Sequence, residues 1–151
     1  MDSTIEFVSK EFLLPFPQES VIEWIEQTIE QESKTLGTIT YVFMNDEELL
    51  KYNVEYLEHD YYTDIITFDD SEFPEINGDI LISYDRVKDN ALTHGNSFEN
   101  ELFRVIIHGV LHLCGYADKS EKDAKTMREK EDFYLAKMNK FNSTFHVKQS
   151  E

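Results

Sequence analysis

The stretch "SFENELFRVIIHGVLHLCGYAD", Ser97–Asp118, decides how the rest of the chain is read. Phe98, Leu102, Val105, Ile106, Val110 and Leu113 recur at helical spacing, which predicts a helix from Ser97 to about Leu113. Ser97 is a good N-cap, although Asn100 stands where a capping box would have a glutamate. Gly115 follows the last apolar position and suits a left-handed C-cap, after which the chain turns. So apolar a helix must be covered by other elements.

Those elements alternate in type on either side of it. Upstream, Ile5–Val8 reads as a strand, and Glu19–Lys34 as a helix with Val21, Ile22, Trp24, Ile25 and Ile29 inward, stopped by Gly37. Thr38–Met44 is β-branched and aromatic, hence a strand, and Asn45 or Asp46 caps a helix through Leu49, Leu50, Asn53 and Leu57. Asp64–Phe68 and Asp79–Ser83 are further strands, separated by a polar loop, "DDSEFPEING". Helices follow from Tyr84 to about Leu92 and from about Lys119 to Lys137. The sum is an α/β (α+β) fold with about four strands and five helices.

A length of 151 residues suits one domain, 1–151, and 40% hydrophobic content with only five Gly and three Pro excludes disordered and fibrous classes. Residues 139–151 are polar and suggest a frayed tail. The lack of any apolar run of about 18 residues, and of a basic leader, points to the cytoplasm and to no membrane partner. The lone Cys114 cannot form an intrachain disulfide. A formal charge of −17 excludes binding of polyanions by the whole surface. The balance is uneven: residues 1–118 hold 6 Lys/Arg against 25 Asp/Glu, whereas 119–151 hold 8 against 6. Lys119, Lys122, Lys125, Arg128 and Lys130 therefore gather just after the quoted stretch, as a solvated helix face or a limited basic patch.

His108 and His112, four apart on one helix, can aim both imidazoles at one ion; a pair alone equally fits an amphipathic helix that happens to carry two histidines. Asp118, beyond the Gly115 turn, stands where a returning chain could supply a third ligand. Two nitrogens and one oxygen would leave a fourth zinc position for water, the pattern of a catalytic rather than a structural site. Peptidases of the HExxH type place their general base directly after the first histidine, and here that residue is Gly109. A mid-helix glycine implies some close approach. Cys114, on another helix face, reads as a small buried hydrophobe rather than a ligand.

"HGVLHLCGYAD" resembles the H-G-x-L-H-L-x-G-Y signature of the YbeY family of metal-dependent endoribonucleases. "TDIITF" (Thr63–Phe68), "GDI" (Gly78–Ile80), Asn53 with Tyr56, and Glu101 on the motif helix are similar to the family's segments in the same order, over about residues 45–120. The resemblance implies a mixed sheet flanked by helices, zincin-like, with one Zn²⁺ per chain held by His108, His112 and a third ligand. It also implies single-strand cleavage in rRNA maturation, near the 3′ end of small-subunit rRNA, and ribosome quality control. Partners would be rRNA or its precursor and ribosomal proteins, with no DNA. It does not identify the catalytic acid or base.

Two positions differ from the family pattern. The usual third histidine is Asp118 here, so the ligands become two histidines and a carboxylate, which would raise the pKa of bound water relative to three imidazoles. The usual arginine of N-x-x-[YF]-R is Leu57, so cationic contact with substrate falls to His59, Arg104 or Lys119. Asp64 and Asp79 are expected to be structural, or to orient a histidine. Two other classes stay open: a zinc metallohydrolase of peptides, and a non-catalytic ribosome-assembly module.

Overall fold

The structure, a computed structural model, describes residues 3–149, and the side chains of residues 3–138. Its elements in chain order are β1 (Thr4–Ser9), α1 (Gln18–Gln31), β2 (Thr35–Met44), α2 (Asp46–Leu57), β3 (Ile65–Asp69), β4 (Glu75–Ser83), α3 (Tyr84–His94), α4 (Phe98–Leu113) and α5 (Glu121–Gln149). The four strands form one mixed sheet in the order β1-β2-β4-β3. β1 and β4 run parallel to β2, and β3 closes the edge antiparallel to β4. Among the described residues no helix is long and apolar enough to cross a membrane.

Alternation along the strands sets the two faces of the sheet. Ile39, Tyr41, Phe43, Ile76, Ile80 and Ile82 point to one face and join α1, α4 and α5 in the main core. Leu81 and Met44 join Leu49 of α2 and Ile66 of β3 in a smaller core on the other face. The motif helix α4 is the centre of the larger layer, with Leu102, Val105, Ile106, Val110 and Leu113 all buried as its spacing predicts. From Glu101 to Leu113 only Arg104, His108 and His112 escape full burial. These are positions i, i+4 and i+8, so the helix presents one polar stripe and buries the rest.

Local capping explains where the elements begin. The side chains of Asn45, Ser83 and Ser97 accept hydrogen bonds from the backbone N–H groups of Glu48, Arg86 and Asn100, starting α2, α3 and α4. Several boundaries differ from the sequence reading. α1 ends at Gln31 because Ser33 turns into the left-handed region at φ 60°, freeing the Thr35 N–H to reach the Pro74 carbonyl at 2.8 Å. Gly37 is therefore not a helix stop: it sits in β2, where a Cβ would fall 2.1 Å from Asn77 Oδ1. β4 likewise starts at Glu75 rather than Asp79. Asn77 and Gly78 read as turn residues, yet Ile76 is fully buried and pairs with Leu36, and the Asn77 side chain accepts from the Thr38 N–H at 2.8 Å across an irregularity in register. α5 runs to Gln149 rather than ending near Lys137, so the backbone of residues 139–149 is helical where their polar composition suggests a frayed tail. Ser150 and Glu151, the end of the expected tail, lie outside the described residues.

α4 ends in a Schellman turn: the Gly115 N–H bonds the His112 carbonyl and the Tyr116 N–H bonds the Leu111 carbonyl. Gly115 stands at φ 110°, where a side chain is strained, although its nearest neighbour, Phe73 Cζ, would be 3.4 Å from an added Cβ. Gly115→Ala should thus destabilise through backbone strain alone, by about 1–3 kcal/mol, lowering Tm by several degrees in a thermal melt. An unchanged melt would contradict that conformation.

Candidate metal centre and its cavity

The polar stripe of α4 faces a cavity of about 650 Å³ closed by β3, the loop before it, and α5. His108, His112 and Asp118 all line it, as do Asp64, Arg104 and Glu131. His108 Nε2 lies 3.3 Å from Asp118 Oδ2, across the turn that Gly115 makes. Two donors bound tetrahedrally to one zinc at about 2.0–2.1 Å stand about 3.4 Å apart, so this pair has the separation of a shared ion. His112 enters the same cavity one helical turn on. Among the described residues no three His, Cys, Asp or Glu donors converge on one point.

The other nitrogen of His108 is taken. Nδ1 is 2.7 Å from Glu131 Oε2, a carboxylate that α5 buries to 5% exposure on the stripe of Met127, Tyr134, Leu135 and Met138. An Nδ1–H donated to Glu131 leaves the Nε2 lone pair toward Asp118, the arrangement by which a carboxylate orients a ligating imidazole. Glu131 also receives Arg104 Nη1 at 2.8 Å, while Arg104 Nη2 reaches Asp132 at 2.6 Å. Sequence reading passed over Glu131; a carboxylate repeating at i+4 and i+7 with buried residues was the available signal.

Burial acts to lower the pKa of His108, but the hydrogen bond and charge of Glu131, with Asp118 and Asp64 behind them, outweigh it and the net shift is upward. A raised folded pKa means that protonated His108 stabilises the chelator-treated protein fully below its unfolded value of about 6.5, and that this contribution is lost as pH rises through the folded value. Urea midpoints of metal-free protein should fall across that window, and Glu131→Gln should flatten the fall. Equal slopes in both proteins would remove Glu131 from the account. Asp64, opposite on the β3 side, has its pKa raised, chiefly by burial; its carboxylate accepts from Asn90 Nδ2 at 3.4 Å.

The remaining expected residues fall in different places. Arg104 is in the cavity, but its guanidinium is occupied by Glu131 and Asp132. Lys119 is exposed and does not line the cavity. His59 is also exposed, beside the cavity rather than in its wall, with its ring stacked on Tyr61. Arg128 of α5 does line it, and among the described residues makes no ion pair. Asp79 lies on the opposite face of the sheet with Val42 and Leu81, so it orients neither histidine. Glu101 is buried and accepts from Asn96 Nδ2 at 3.2 Å.

The turn that presents Asp118 is tied to the end of α1. Glu32 accepts from the Tyr116 hydroxyl at 2.6 Å, from Lys130 Nζ at 3.2 Å, and from Tyr134. Cys114 is buried, and burial pushes its thiol up to about 12, which matches a packing role and not a thiolate ligand. A Cβ on Gly109 would sit 2.9 Å from two carbons of Ile80 and 3.3 Å from Ile65 Cδ1. The close approach is therefore sheet side chains, and a peptidase glutamate at this position would point into the core.

Comparison with known proteins follows the same residues. The family model described as Endoribonuclease YbeY matches residues 5–139. Proteins named Endoribonuclease YbeY include one from Flavobacterium johnsoniae, 49% identical over 87% of this chain and 90% of its own, and one from Christiangramia forsetii, 43% identical over 96% of both. The solution structure of TM1509 from Thermotoga maritima superposes with a TM-score of 0.66 at 26% identity, covering 93% of each chain. With the motif helix, the mixed sheet and most of the chain's length all matched, this protein belongs to the Endoribonuclease YbeY family.

Proposed function

We propose that the protein is a zinc-dependent, single-strand-preferring endoribonuclease of the cytoplasm that matures the 3′ end of small-subunit rRNA and contributes to ribosome quality control. The observation that supports this most is the His108 Nε2–Asp118 Oδ2 separation of 3.3 Å, with Glu131 on the opposite nitrogen, at the wall of an open cavity. The relatives' name supplies the reaction class, cleavage within RNA.

His108, His112 and Asp118 would hold the ion; two nitrogens and a carboxylate suit zinc better than magnesium or calcium. Bound there, zinc would supply Lewis-acid polarisation of a phosphate oxygen or activation of water. The chain does the rest. Glu131 fixes the imidazole of His108, Glu32 fixes the turn before Asp118, and Arg128 offers a cavity cation to a phosphate. The −17 charge makes contact with RNA local, around α5 and the cavity, with ribosomal proteins as the partners for the acidic faces.

Purified protein supplied with zinc should cut an unstructured oligoribonucleotide and an rRNA precursor, lose the activity to chelator, and regain it on zinc addition. A preparation that binds zinc yet leaves both RNAs whole would overturn the proposal.

A further inference from the structure

The end of α2 and the loop from it to β3 form one rim of the cavity, to which Leu57, Tyr61, Thr63 and Asp64 contribute. It is built around Asn53, only 1% exposed. The Asn53 carbonyl accepts the His59 N–H at 3.1 Å, and Asn53 Nδ2 donates to the Tyr61 carbonyl at 2.8 Å. Glu58, at φ 58°, makes the reversal. Asn53 thus clamps the loop at two points, through its backbone carbonyl and its buried side-chain amide, and the rings of His59 and Tyr61 lie near parallel, with centroids 5.0 Å apart and planes 17° off. The Tyr61 hydroxyl meets His59 Nδ1 at 2.9 Å, yet Tyr61 stays 55% exposed.

An exposed, pre-ordered ring pair at the mouth of a polar cavity has no evident packing role. A solvent-facing loop gains little stability from a tyrosine, and residues 1–118 offer few cations to hold a phosphate chain. With Arg104 held by Glu131 and Asp132, Arg128 on α5 is, among the described residues, the cation this cavity offers a phosphate, and a strand meeting the opposite rim gains affinity by stacking its bases. We propose that the His59–Tyr61 pair is a stacking platform for an unpaired nucleobase of an RNA strand entering the His108 cavity. The inference rests on the ribonuclease reading and deepens it. Stacking accepts any base but needs an open face, so the platform selects single strands without selecting sequence.

The test is fluorescence anisotropy in the cold, with strand integrity checked on a gel, using a short single-stranded oligoribonucleotide and the same sugar-phosphate chain without bases. Tyr61→Ala should bind the base-bearing strand about tenfold more weakly, and Tyr61→Phe should restore affinity to within about twofold. Both variants should bind the base-free chain as wild type does. Tyr62→Ala serves as the surface control, because Tyr62 is held by Glu47 and Arg86 outside the cavity. Undiminished affinity of folded Tyr61→Ala for the base-bearing strand, with RNA cleavage intact in wild type, would overturn the platform and spare the ribonuclease reading. A wild type that neither binds nor cuts RNA would overturn both.

Discussion

His108→Ala should lower cleavage of single-stranded RNA by about 10³-fold or more, since a zinc ion held there as proposed would contribute several kcal/mol of transition-state charge stabilisation. The fold should survive, because Glu131 keeps its bond to Arg104 and the core face of α4 is untouched. Asp118→Ala makes the cleaner comparison: the residue is exposed, on a turn whose shape comes from Gly115 and from Tyr116 bound to Glu32. Mass spectrometry of untagged protein, with circular dichroism alongside, should find near-stoichiometric zinc in wild type and its loss in both folded variants. Full zinc in Asp118→Ala would sink the mixed nitrogen-and-carboxylate centre. It would also leave the 3.3 Å pair as a plain ion pair.

Glu131→Ala should be the most destabilising single change near the site. It removes a carboxylate, 7% exposed in its side chain, that Arg104 and His108 share. Leaving such partners uncompensated costs about 3–5 kcal/mol, or about 10 °C in Tm for a chain of this size. Arg104 keeps Asp132, which places the expectation at the lower end. Glu131→Gln retains shape and loses charge, so a smaller melt shift should accompany zinc affinity reduced by about 10–100-fold. Unaltered zinc affinity in folded Glu131→Gln would reduce Glu131 to a stability role.

The elements show why some features were legible and others were not. Helix α4 follows from a period of 3.6 residues within 16, and its cap and Gly115 turn are encoded within a few positions of each end. Strand β4 was half read, because Asn77 and Gly78 carry turn chemistry that burial of Ile76 against β2 overrides. Arg104 looked free to meet substrate, and only the approach of α5 shows it bound to two carboxylates.

By itself the sequence determined the local half of this protein. It placed two histidines on one helix face, a carboxylate just past a glycine turn, strands by alternation and the motif order that marks the family, all set by spacings of a few residues. Tertiary structure alone decided the long-range half: the strand order, the partner of His108 23 residues away on α5, the tie from Glu32 to Tyr116 over 84 residues, and the ring pair on the cavity rim. Periodicity says which face of an element is buried. What stands against that face depends on how the whole chain packs.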